Sequence, residues 1–96
     1  MDTRQDAEYL FEKIGIGSEN ALRRPEDKRV DRQLRRLIHD ANMNDDCIIN
    51  VGGGYFRPGD EDDMAAEIYF AAERHRARDI LRRTRRMETV FNKRYQ

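Results

Sequence analysis

Uncharged stretches are scarce in this chain, where charged residues fill 40% of the 96 positions and hydrophobic ones 38%. No apolar run approaches the roughly 20 residues needed to cross a bilayer. The start of the chain also lacks the uncharged core of a secretory signal. Cysteine is nearly absent, and the lone Cys47 cannot form an intramolecular disulfide. A reducing cytoplasm is therefore the expected location, with no membrane partner. Catalytic groups are equally thin. The only serine, Ser18, falls in turn-like sequence, and the two histidines, His39 and His75, fall on different predicted helices, so no nucleophile–base pair is expected and the chain does not read as an enzyme. One cysteine and two histidines are too few and too widely spaced for structural zinc. The acidic run Asp60, Glu61, Asp62, Asp63 is accounted for by a helix start, where carboxylates suit the dipole, without a metal. No cofactor or metal is expected. Net charge is missing too: 19 basic residues balance 19 acidic ones, so bulk charge does not point to nucleic acid.

The distribution of charge says more than its sum. Residues 21–39 hold seven basic groups against three acids, and residues 74–96 hold nine against two. Acids gather in 2–19 and 60–73. Within the first basic region, Leu34, Leu37, Ile38 and Ala41 repeat the i, i+3, i+4, i+7 spacing of a helix with one buried face. Arg32, Arg36, His39 and Met43 then centre the opposite face. A hairpin follows, with strands over 47–51 and 55–57 and a tip at Gly52, Gly53 and Gly54. The glycines do not read as a phosphate loop, because they run into Tyr55 and Phe56 and not into a helix. An arginine-faced helix leading into a glycine-tipped hairpin is the order of parts in a winged helix, and points to double-stranded DNA.

The rest of the chain is mainly helical. Ala7, Leu10, Phe11 and Ile14 predict a first helix over 2–14, stopped by Gly15 and Gly17. Pro25, Glu26 and Asp27 are expected to open a cramped second helix, and Asp31 to cap the third. Cys47 is expected in a strand as a small core residue. From Asp60, which is expected to cap it, a long final helix runs to the end without glycine or proline. Phe70, Ala77, Ile80, Thr84, Met87 and Phe91 follow a near-continuous 4/3 alternation along it, the spacing of a coiled-coil seam, which predicts dimerisation through this helix. The expected division is a domain over 1–59 followed by a dimerisation helix over 60–96.

The run Glu19-Asn20-Ala21, then Asp31-Arg32-Gln33-Leu34-Arg35-Arg36-Leu37-Ile38, then Ile48-Ile49-Asn50 and Gly54-Tyr55-Phe56-Arg57-Pro58 ahead of an Ala/Arg-rich helix, resembles small winged helix-turn-helix proteins of phages and integrated elements in Firmicutes. The resemblance covers roughly residues 18–90. It implies that the third helix enters DNA and that 52–57 forms the wing, and hence a small transcriptional regulator. On this reading Arg32, Gln33, Arg36 and His39 are the candidates for base edges, while Arg23, Arg24, Lys28, Arg29, Arg35 and Arg57 hold phosphates. The chain departs from the family between Ala21 and Asp31, where nine residues stand in place of a full helix and a glycine turn. That shortening, with zero net charge, favours the alternative of a protein-interaction module, an inhibitor or adaptor acting on a host protein. A replication-initiation accessory protein is a further option within the DNA class.

Overall fold

The computed structural model describes residues 2–94 and bears out a mainly helical fold with a small antiparallel sheet and a long C-terminal helix. Helix α1 spans Thr3–Glu12. A single 3-10 turn at Ser18–Asn20 leads to strand β1, Leu22–Arg23. Helix α2 spans Lys28–Asn42, strands β2 and β3 are Ile49–Val51 and Gly54–Phe56, and a 3-10 turn at Asp60–Asp62 opens helix α3, Asp63–Lys93. Two compact units divide between Ala66 and Glu67.

In the first unit, α1 begins with a reciprocal cap, the Asp2 carboxylate accepting from Gln5 N at 2.8 Å while the Gln5 side chain accepts from Asp2 N at 3.2 Å. Its apolar side packs on α2, and the core joins Ala7 and Ile14 to Val30, Leu34, Ile38, Ile48 and Tyr55. Strand order is β1-β3-β2, with Leu22 opposite Tyr55 and Ile49 opposite Phe56. Gly52 and Gly53 turn the hairpin with φ of 70° and 89°, a left-handed pair that side chains resist. Gly54 serves a different need: a Cβ there would lie 2.9 Å from that of Ala21, so β1 approaches β3 only because the position is bare.

Four expectations for this unit need correcting. No second helix forms at residues 25–27; the chain there is a bend, and the residues before it pair with β3 as a two-residue strand. Helix α2 starts earlier than expected, with Asp27 and not Asp31 at its N-cap, accepting from Arg29 N at 2.9 Å. The reason is Val30, which extends the buried stripe of Leu34, Leu37, Ile38 and Ala41 back by one turn and sits 7% exposed. Cys47 lies outside the strand and is exposed; its neighbour Ile48 takes the core position, at 2% exposure. Asp60 does not cap α3: it opens the 3-10 turn that precedes the helix, and Asp62 at the end of that turn accepts through Oδ2 from Gly59 N at 2.8 Å and Ser18 N at 3.1 Å. Those backbone donors hold the Asp62 carboxyl below its ordinary value.

The second unit is the remainder of α3, which runs unbroken to Lys93. No residue of α3 beyond Ala66 is buried among those described. Phe70, Ile80, Met87 and Phe91 are 40%, 46%, 62% and 56% exposed, and Ala77 and Thr84 between them are exposed as well. The Thr84 hydroxyl is turned back onto the helix, donating to Ile80 O at 2.8 Å.

Candidate nucleic-acid interface

Burial of one side of α2 against α1 dictates what the other side presents. At about 100° per residue, Arg32, Arg36 and His39 fall on the outward arc, and all three are exposed. Together with Arg35 and Asp40 they line one shallow surface depression. Arg32 and Arg36 donate to no protein acceptor among the described residues, so both guanidinium forks are free for a ligand. His39 Nδ1 lies 3.4 Å from Asp40 Oδ1, with both side chains in solvent. Gln33 stands apart, half-buried on the flank of this arc. Lys28 and Arg29 extend the outward face by one turn toward the N-terminus; Arg29 is loosely paired with Asp27 at 3.4 Å and 77% exposed. Backbone and side-chain hydrogen bonds from Arg29 depress the Asp27 carboxyl.

Beside this face sits an acid whose importance sequence reasoning missed. Asp31 is only 6% exposed; it accepts from the Tyr55 hydroxyl at 2.9 Å and from Arg24 Nη2 at 2.8 Å, and forms an ion pair with Arg35 Nε at 3.4 Å. Burial by itself raises the pKa of this carboxyl. Hydrogen bonds from Arg24 and Tyr55, with the charges of Arg24 and Arg35, outweigh that and leave the net shift downward. Tyr55 is affected in the opposite sense: burial first, then the bond to the Asp31 carboxylate, push its hydroxyl up to about 12. Through Asp31, the loop after β1, the first turns of α2 and strand β3 are held in one arrangement. Arg24 and Arg35 are thereby oriented at the edge of the outward face while remaining 44% and 57% exposed. The signal available in sequence was Tyr55 itself, since a buried tyrosine hydroxyl needs a partner.

A second clamp holds the other end of the hairpin. Asn42 Oδ1 accepts from Ile48 N at 2.8 Å while its Nδ2 donates to Ile48 O at 3.0 Å, closing the turn between α2 and β2. Arg57 is committed next to it and is not presented to solvent as a wing cation. It makes a fork–fork pair with Asp46 at 2.9 and 2.8 Å, donates to Ile14 O, stacks over the Phe11 ring, and is 29% exposed. Its strongest effect on Asp46 is the side-chain hydrogen bonding, which lowers that carboxyl. The guanidinium expected at phosphates is thus engaged within the fold, at Asp46 and Ile14. From Ile48 through Phe56 the hairpin carries no cation at all, and its tip offers Val51, Gly52 and Gly53. Arg23, by contrast, is exposed on β1.

Among the described residues no group of three or more His, Cys, Asp or Glu side chains is arranged to hold a metal ion. No described helix is long and apolar enough to cross a membrane. What the site can do chemically is bind: two free guanidinium groups one turn apart, a histidine on the next turn, and cations at the margin. No protein-family model, no curated protein and no solved structure matches the chain.

Proposed function

We propose that this protein binds double-stranded DNA site-specifically by laying the outward face of α2 in the major groove, and that it acts as a small transcriptional regulator of the winged helix-turn-helix kind. The observation that carries the reading is the pair of unpartnered forks, Arg32 and Arg36, on the same face as His39 and Arg35. Spaced four residues and about 6 Å apart along the axis, they reach successive base steps, and each fork matches guanine O6 and N7. His39 joins them at base edges, with Gln33 at the side of the contact. Lys28, Arg29, Arg35, Arg23 and Arg24 hold flanking phosphates. Arg57 drops out of this set. The wing tip, uncharged and without side chains at Gly52 and Gly53, approaches the backbone through its peptide groups.

The test is selection from a pool of random duplexes at near-physiological salt, followed by the double variant Arg32→Ala/Arg36→Ala. An enriched sequence motif is expected, and its loss in the variant at a cost of about 1–3 kcal/mol for each base-reading arginine. Equal binding and equal preference by wild type and variant would sink the assignment. The seam on α3 is the dimer contact of this reading; Ile80→Glu/Met87→Glu should sediment as a monomer, whereas an unchanged mass would refute the seam.

One observation favours a second reading. Residues 25–27 form no helix, so α2 lacks the brace that a helix-turn-helix usually places across the DNA backbone. A protein-interaction module of the same fold predicts no enriched DNA motif, and capture of a defined host protein that depends on residues 74–94.

A further inference from the structure

Helix α3 carries a second feature that the seam leaves unused. With the seam of Phe70, Ala77, Ile80, Thr84, Met87 and Phe91 on one side, winding at about 100° per residue puts Arg78, Arg82, Arg85 and Arg86 within about 70° of the opposite direction. All four are exposed, and with Leu81 they line one shallow depression. Arg78, Arg85 and Arg86 form no ion pair among the described residues, and Arg82 has only Asp79 at 3.9 Å. Thr89 and Lys93 continue the same side toward the end of the helix. The i, i+4, i+7, i+8 spacing therefore builds a stripe of four guanidinium groups over about 12 Å of helix.

We propose that this stripe is a second, sequence-independent contact for the sugar–phosphate backbone of duplex DNA. Two features select that occupant. The stripe consists of arginines, whose planar forks match phosphate oxygens in pairs, with lysine appearing only at its far end. Its charge density, one cation per roughly 3 Å, meets a polyanion with one charge per roughly 1.7 Å of duplex. An anionic lipid surface is the competing occupant of a helix with arginines and apolar residues on different faces, and is an outcome of the test. The choice of ligand rests on the DNA reading of α2; the stripe itself does not.

The experiment measures binding of the full chain to a random-sequence duplex and to the duplex enriched by selection, over a range of salt concentrations, for wild type, Arg78→Gln/Arg82→Gln/Arg85→Gln/Arg86→Gln, the corresponding four-lysine variant, and Arg32→Ala/Arg36→Ala, each checked for helix content. Each lost phosphate contact flattens the slope of log affinity against log salt by about 0.9, so the glutamine variant should lose about 3 to 4 in slope while keeping its preferred sequence. The lysine variant should keep most of the slope. A glutamine variant that binds with wild-type slope overturns the stripe and leaves the α2 reading standing. Loss of slope in the glutamine variant, beside wild-type preference in Arg32→Ala/Arg36→Ala, upholds the stripe and overturns α2. No duplex binding by wild type even at the lowest salt overturns both, and binding to polyglutamate or to vesicles of anionic lipid as tight as to duplex overturns DNA as the occupant.

Discussion

Replacing Asp31 with alanine should damage the fold more than any other change to a charged residue of α2. The carboxylate is buried, and its removal strands the Tyr55 hydroxyl, on a residue only 3% exposed, without an acceptor. A buried hydroxyl left unsatisfied costs about 1–3 kcal/mol. Arg24 and Arg35, about half exposed, can turn to water and add little. For a domain of this size, each kcal/mol moves the melting temperature by about 4–8 °C, so a fall on the order of 10 °C is expected in thermal melts followed by circular dichroism. A double-mutant cycle isolates the mechanism. Tyr55→Phe alone removes one donor from a carboxylate that keeps two guanidinium partners, and should cost about 1 kcal/mol. Combined with Asp31→Ala, it also removes the stranded hydroxyl, so the double variant should be more stable than the sum of the singles by about 1 kcal/mol or more. Additive effects, or an Asp31→Ala cost below about 0.5 kcal/mol, would refute the claim that Asp31 locks the wing to the helix.

Arg57→Met, which keeps a long apolar stem over Phe11 but strands the Asp46 carboxylate, should lower stability by about 1.5–3 kcal/mol in urea denaturation; any DNA binding should keep its salt dependence, since this guanidinium is spent within the fold. The pH dependence of stability should change at both ends. The folded Asp31 carboxyl titrates below its ordinary value of 3.8, so its contribution is present above that value and fades as pH falls through the lowered one. Melts of Asp31→Ala should accordingly lose less stability than wild type on acidification. Tyr55 is raised to about 12 from 10.0, so its contribution is full below pH 10 and declines as pH climbs toward 12. Tyr55→Phe should remove that alkaline decline, and a decline of unchanged size would count against the burial and hydrogen bond that raise it.

Much of this architecture is legible in local pattern, because apolar spacing reports which side of a helix is covered. Leu34, Leu37, Ile38 and Ala41 announce α2, and paired glycines announce the hairpin. What local pattern misreads are positions whose role is set by residues distant in sequence. Asp31 has the right residue type for a cap, yet Tyr55, 24 residues on, claims it. Arg57 looks like a wing cation until Asp46 and Ile14 are brought beside it by the fold. Two residues, Leu22 and Arg23, make a strand only because β3 offers an edge and Gly54 leaves room; nothing in their own propensities says so. The outward arginines of α2 are the most legible part of the candidate site, since a solvent-facing residue keeps the position that helical winding assigns it.

If the exposed seam of α3 takes a second copy, the helix also makes the protein a sensor of its own abundance. Phe70, Ile80 and Met87 are exposed in the single chain and would leave water on pairing, so molecular mass and grip on a two-fold site would rise together with concentration. Paired molecules accumulate as the square of the single ones while singles predominate, so halving the supply would leave about a quarter of the pairs. A gene under such control would switch over a narrow range of copy number without any small-molecule signal.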